Sequence, residues 1–479
     1  RYHSDYRWGN FPSFSAAWRV SEEAFMEKTK DWLDNLKLRV SYGSVGNNGG
    51  DDSSLISEYE YQSTYGGAKY SLGGKLVSGL ASTSIANSML SWETSTMTNV
   101  GIDLNALNNR LSFTMDAFVK NTTGILFKPS IYLTAGDKSA PRKNIAEMRT
   151  KGIEFTLGWK DQIEDFSYSV SGNFSYTPNK IRKYKGKFEA GYNENGEWVS
   201  NIGDVASSTS AVNPIVQGYS AKEFYLRNPY KGSGKGYATD GVNGGPTDGM
   251  IRTESDMEWL GAMIDAGHTF MPNKNIGKDK IWYGDYIYAD TNGDGIYGGA
   301  DDKEFQGFSA DPRYNFGLQF SAAWKGFDFS MNWAGAAGFK LYWGSATGYN
   351  SPTTRVGVAL GTDIAYNHYF FDPENPSDSR TNINAKYGRL VNGESGFQNV
   401  ESSSLYLFNA NYLKLKNLTL GYTLPVPVSK KIFMDNLRVY VSIENVFNIT
   451  KYPGQDPELG ATPTYTSLRQ FAFGANISF

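Results

Sequence analysis

Residues 166–176 read FSYSVSGNFSY. Phe166, Tyr168, Val170, Phe174 and Tyr176 occupy every second position with Gly172 in register, while Ser167, Ser169, Ser171, Asn173 and Ser175 fill the places between. Side chains of a strand alternate between its two faces, so this stretch carries one apolar face and one face of small uncharged polar groups. The stretch is also about twice as long as the ~5–6 residues usual for a soluble strand.

The same period recurs outward from it. Tyr314, Phe316, Leu318, Phe320 and Trp324 oppose Asn315, Gly317, Gln319 and Ser321. Lys325 and Gly326 then supply a two-residue turn, and Phe327, Phe329, Met331 and Trp333 continue the apolar face against Asp328, Ser330 and Asn332. This is the pattern of a tight hairpin. Ile153, Phe155, Leu157 and Trp159 form a further apolar face, as do Leu437, Val439, Val441 and Ile443. With segments 11–20, 36–44, 92–104, 111–121, 409–422 and 469–479, the alternation predicts about eleven long strands.

The connections sort by length. Short ones are expected at 21–35, 105–110, 161–165, 325–326 and 423–436, and long ones at 45–91, 122–148, 177–313, 334–408 and 450–468. Every second connection is long, as in membrane barrels with short periplasmic turns and long extracellular loops. The fold class expected is therefore all-β, a transmembrane antiparallel β-barrel, with residue 479 on the periplasmic side. The first and last strands run in the same direction and cannot pair antiparallel, so further strands are expected upstream of Arg1, where neither an initiator Met nor a signal peptide stands.

Composition excludes several classes. Charged residues are 20% of the chain, Gly numbers 52, and 32 Tyr, 28 Phe and 11 Trp favour strands and turns over helical bundles. The net charge of -3 has no basic block, so no nucleic acid partner is expected. Cys is absent, which removes disulfides and thiolate sites. No apolar run approaches the ~20 residues of a membrane helix, and a mean hydropathy of -0.46 suits a barrel whose strands show lipid only every second residue.

Enzyme-like signals are thin, and no catalytic residue is assigned. His3, His268 and His368 lie in expected loops or at the start, and GSGKG at 232–236 lacks the spacing of a phosphate loop. The strongest local chemistry is DTNGDGIYGGAD at 290–301. Asp290, Asn292 and Asp294, the Ile296 carbonyl and Asp301 follow the spacing of a calcium loop, with Gly295 at the sharp turn. A structural Ca²⁺ is expected there. The competing reading is a metal-free turn rich in Asp, Asn and Gly.

The chain ends QFAFGANISF, in which Phe471, Phe473, Ile477 and Phe479 alternate with small or polar residues. This ending resembles the assembly signal of outer-membrane barrels. More specifically, RWGNFPSFSAAWRVSEEAFM at 7–26, NLKLRVSYGSVGNNG at 35–49, WETSTMTNVGIDLNALNNRLSF at 92–113, GDYIYADTNGDG at 284–295 and NLRVYVSIENVFNITKYPGQDPE at 436–458 resemble, in order, the SusC-like branch of TonB-dependent receptors.

The resemblance implies the C-terminal half of a barrel of roughly 22 strands in a bacterial outer membrane, with a plug domain that lies outside this chain. It further implies import of an oligosaccharide or peptide, a SusD-like lipoprotein lid, outer-membrane lipid around the wall, and coupling to TonB through a missing N-terminal region. The alternative is a secreted or surface carbohydrate-binding β-protein without transport activity. That protein would carry more Lys, Glu and Thr on its outer strand face.

Overall fold

The computed structural model describes residues 2–48, 59–127, 141–184, 189–192, 198–201, 212–343, 362–390, 398–461 and 465–479. Its main feature is one antiparallel sheet whose long strands follow chain order without a crossover. We number them β1 (Ser13–Arg19), β2 (Leu33–Asn47), β3 (Glu93–Ala106), β4 (Leu111–Phe127), β5 (Lys143–Ile163), β6 (Phe166–Tyr176), β7 (Tyr314–Trp324), β8 (Phe327–Ala337), β9 (Tyr412–Thr423), β10 (Asn436–Thr450) and β11 (Gln470–Ser478). All eleven expected strands are present. β1 and β11 do not pair with each other.

Local chemistry explains the turns. Lys325 and Gly326 both take positive φ, at 45° and 90°, which matches the twist of the flanking strands and pairs Trp324 with Phe327. The β3–β4 turn uses Leu107, Asn108 and Asn109 at positive φ, and the β5–β6 turn uses Glu164. These turns, the 20–32 and 424–435 connections and the chain end share one edge of the sheet, and the long connections share the other.

Several strands run past their expected limits, β4 and β5 furthest. β4 continues to Phe127 and β5 begins at Lys143, so the connection anticipated at 122–148 shrinks to 128–142, mostly outside the described residues. The register shifts between Thr122 and Ile125, where Gly124 sits at φ 65°, and this irregularity interrupts the alternation that the sequence reading followed. A similar shift between Leu415 and Asn417 sets Lys416 out of register in β9. Parts of the 45–91, 177–313, 334–408 and 450–468 connections likewise lie outside the described residues.

The largest apolar core is not in the sheet. Met250, Ile251, Trp259, Leu260, Met263, Phe270, Ile281, Ile287 and Tyr288 are buried together within the β6–β7 connection, joined by Tyr369 and Ala385 from the β8–β9 connection. Helix α1 (Glu254–Asp265) anchors this core. It starts on a capping box, with the Thr253 hydroxyl accepting from Asp256 N and the Asp256 carboxylate accepting from Thr253 N. Trp259, Leu260 and Met263 lie on one side of the helix and are buried. The two connections are also stitched together by the pairing of Arg227 with Ser403. We call this folded body the connection unit.

Candidate functional site

The sheet has two chemically distinct faces. On one, Phe155, Leu157, Phe166, Leu318, Trp324, Phe327, Leu420, Val439, Phe471 and Phe473 stand exposed. Aromatic rings run across neighbouring strands on this face: Phe155 stacks on Phe174 at 5.3 Å and Tyr176 on Tyr314 at 4.8 Å. In water such a continuous apolar surface would be a severe liability, whereas against lipid it is the required surface. Trp18, Trp324 and Tyr422 lie toward the short-turn edge, Tyr422 in ring contact with Phe327. Trp92 instead packs between Tyr2 and Phe11.

The opposite face is polar and internally paired. Arg39 on β2 reaches Asp103 on β3 at 2.9 Å and Asp116 on β4 at 3.0 Å, bridging three strands. Gly101 lies in register between Arg39 and Asp116, and a Cβ there would meet the Asp116 carboxylate at 2.6 Å, so glycine leaves the passage for the ion pair. Gly421 does the same beneath Asp328 and Arg438, which pair at 2.8 Å across β9. Hydroxyls complete the face, Ser169 with Ser321 at 2.8 Å and Thr419 with Ser442 at 3.0 Å. Charges bound to one another in this way leave a hydrated, locally neutral wall.

At the long-connection edge, Lys414 projects from the polar face of β9 and is almost wholly buried. Its Nζ lies 2.6 Å from Asp456 and 3.1 Å from Glu458, while Lys416 also pairs with Glu458. The β10–β11 connection is thus tied back onto the wall, and Tyr452 packs with Ala336, Phe339, Leu341 and Ala410.

Asp290, Asn292 and Asp294 fall in one tight turn of the connection unit. The Asp290 carboxylate accepts from Gly293 N at 2.6 Å and Gly295 N at 2.9 Å, Asn292 accepts from Asp294 N, and Asp294 accepts from Ile296 N at 2.7 Å. Ile296 pairs with Thr269 in a short parallel ladder. Asp301 is exposed, and it is the neighbouring Asp302 that closes the loop. Asp302 is buried and accepts from Thr291 N at 2.8 Å and Gly299 N at 2.7 Å. Burial pushes the Asp302 carboxyl up against the pull of these bonds. Among the described residues no three acidic or histidine side chains converge as a ready metal-holding group.

The four terminal residues singled out in sequence lie on or just beyond β11. Phe471, Phe473 and Ile477 share the apolar face, opposite Ile443, Val441 and Leu437 of β10, and Phe479 follows the last paired residue with 85% of its surface exposed. What the sequence reading missed is the connection unit. Its signal was present in TESDMEWLGAMID at 253–265, a cap followed by apolar residues at helical spacing.

A continuous antiparallel wall with one lipid-type face, one polar face and all long connections at one edge defines a membrane β-barrel class of protein. Residues 1–257 match the TonB dependent receptor-like, beta-barrel family, and the chain belongs to that family and to the outer membrane. It is 27% identical over its whole length to the TonB-dependent receptor SusC of Bacteroides thetaiotaomicron, covering 41% of that protein. It is 26% identical to the TonB-dependent receptor P3 of Formosa agariphila over 98% of this chain and 42% of the relative. The RagAB peptide transporter structure superposes with a TM-score of 0.70 at 22% identity, over all of this chain and 44% of that one. The chain therefore spans about two-fifths of the length of the relatives it matches.

Proposed function

We propose that this chain forms part of the wall and the outer vestibule of an outer-membrane importer for an oligosaccharide or peptide. In this reading a SusD-like surface lipoprotein caps the vestibule, and TonB drives entry through a plugged lumen. The observation that carries the reading is the two-faced wall, which turns rings to lipid and paired charges and hydroxyls to a hydrated interior. The peptide transporter among the structural neighbours supports peptide as one cargo class. No catalytic role is assigned.

Uptake of labelled oligosaccharide and peptide pools is to be compared in cells carrying the full-length protein with and without TonB and the surface lipoprotein. Loss of uptake on removal of either is expected. Uptake that persists without TonB overturns the reading, and surface glycan binding with no uptake favours a binding protein instead.

We also propose that the 290–302 turn takes a structural Ca²⁺ through the hard oxygens of Asp290, Asn292, Asp294 and the Ile296 carbonyl. The closing carboxylate is reassigned from Asp301 to Asp302, because Asp302 returns to the loop's start at Thr291. Binding would turn carboxylate lone pairs from loop amides to the ion. The test is calcium titration of the full-length protein and of an Asp290→Ala/Asp294→Ala variant, with cleavage near residue 295 as readout. Cleavage that ignores both Ca²⁺ and chelator marks the segment as a bare turn.

A further inference from the structure

Three lysines at the short-turn edge have no carboxylate partner among the described residues: Lys325 in the β7–β8 turn, and Lys430 and Lys431 in the 424–435 connection. The acid nearest to Lys325 in sequence, Asp328, is taken by Arg438 on the polar face. Lys325 lies instead over Trp324, its Nζ 5.5 Å from the ring centroid. Trp324 stands on the apolar face and is half exposed, as is Phe327 after the turn. The lysine charge is therefore held on the lipid side of the wall, at the level where the strands end.

The adjoining connection reads LPVPVSKKIFMD at 424–435. It is bonded to itself: Val428 N donates to Pro425 O at 2.8 Å, Met434 N to Ser429 O at 3.1 Å, and the buried Ser429 hydroxyl to Val426 O at 3.1 Å. Its apolar side chains are nevertheless turned out, with Val426, Val428 and Ile432 about half exposed and Phe433 89% exposed. Phe433 also sits at φ 59°, a left-handed conformation that is costly for an aromatic residue. The ring is thus held outward by a closed turn and is not left outward by fraying. Thr423 N donates to Gly326 O at 2.7 Å, so the connection leaves β9 directly beside the Lys325 turn. Its one acid is Asp435, and Glu164 and Asp165 of the β5–β6 turn bound the site on the other side.

Apolar groups that protrude beside unpaired lysines, continuous with a lipid-facing wall, have the make-up of an interfacial anchor. The rings and branched chains suit the acyl boundary, and the lysines suit negative charge just outside it. We propose that the β7–β8 turn and the 424–435 connection bind anionic phospholipid headgroups of the periplasmic leaflet. Lys325, Lys430 and Lys431 meet the phosphates, and Phe433 with its apolar neighbours enters beside the acyl chains. Arg110 marks the contrast, since it lies over Trp159 at 5.9 Å but is already paired with Asp161 at 3.2 Å. The site rests on the lipid assignment of the apolar face and requires neither cargo nor TonB.

The experiment titrates the full-length receptor in detergent with dioleoyl-phosphatidylglycerol and dioleoyl-phosphatidylcholine and counts bound lipid by native mass spectrometry. The parent should retain phosphatidylglycerol in preference. A lysine near an anionic surface is worth about fivefold, so Lys325→Gln/Lys430→Gln/Lys431→Gln should lower the preference about tenfold or more. Raising the salt should lower it too. Arg110→Gln should leave it unchanged. Phe433→Gly, which suits the left-handed conformation, should fold and should weaken retention of both lipids. Heat-modifiable migration establishes folding of each variant, and Lys430→Gln/Lys431→Gln gives a second reading should the triple variant fail to fold. The proposal is overturned if the parent holds both lipids alike, if the folded lysine variants keep the parent's preference, or if glycerol 1-phosphate, a headgroup without chains, displaces the lipid. None of these outcomes depends on uptake, so the transport reading stands or falls separately.

Discussion

Lys414 Nζ lies 2.6 Å from the Asp456 carboxylate, so a lysine of the polar wall face holds the β10–β11 connection against it. Burial alone would raise the Asp456 and Glu458 carboxyls, but the bonds from Lys414 and Lys416 outweigh it and hold both below the ordinary range. A carboxyl whose folded value is depressed contributes stability above its unfolded value of about 4, and that contribution is lost as pH falls through the folded value. The 451–461 arm of the β10–β11 connection should therefore stay protease-resistant at neutral pH and open only below about pH 4. Lys414→Met should open it at pH 7, because breaking a buried pair costs about 3–5 kcal/mol. Limited proteolysis across pH checks both, and resistance of Lys414→Met equal to the parent refutes the tie.

The connection unit should unfold separately from the wall. Trp259 is 1% exposed, packs against Tyr230 at 5.1 Å and donates its indole N–H to Gly241 O at 2.9 Å. Trp259→Ala should destabilise the unit by about 3–5 kcal/mol. Hydrogen exchange is then expected to rise across 212–310, 362–390 and 398–410 while β2–β10 keep their protection. Equal loss of protection in the strands would show instead that unit and wall fold as one.

Much of the wall was legible because alternation is a direct record of a face exposed to lipid: Phe166 to Tyr176 and Tyr314 to Met331 read correctly to the residue. The reading failed where a backbone irregularity breaks parity, as at Gly124, because a single extra residue exchanges the two faces. The connection unit stayed hidden for a different reason. Its core is built from short bridges and distant contacts, such as Arg389 with Asp285, which leave no periodic trace. The 290–302 turn shows the limit of spacing alone, since Asp301 and Asp302 are neighbours in sequence and only folding shows that Asp302 is the buried one.

Deleting Phe479 should lower the amount of assembled full-length barrel more than it alters the stability of what is assembled. The ring is 85% exposed and lies beyond the last paired residue of β11, so removing it leaves no cavity. By exposed area its loss to lipid contact amounts to at most a few kcal/mol, on the order of one apolar side chain. Outer-membrane levels and urea unfolding of the purified barrel are measured side by side. Unchanged levels remove the assembly role.

The lipid assignment of the apolar face makes its own prediction, because water and lipid treat the same exposed side chain in opposite ways. Leu318 and Gln319 are neighbours in the middle of β7 on opposite faces, Leu318 beside Gly172 and Trp333, Gln319 beside Ser171 and Asn332. Leu318 is 41% exposed, so on a water-facing sheet an arginine there would simply extend into solvent at a cost within about 0.5 kcal/mol. Facing the hydrocarbon mid-plane, the same arginine should cost about 2–4 kcal/mol. Gln319→Arg, directed to the hydrated face, should cost little and should instead change the passage of charged solutes. Reversible unfolding of the full-length protein in lipid vesicles measures both variants against the parent. If Leu318→Arg proves as mild as Gln319→Arg, the apolar face does not meet lipid, and the barrel reading of this wall fails with it.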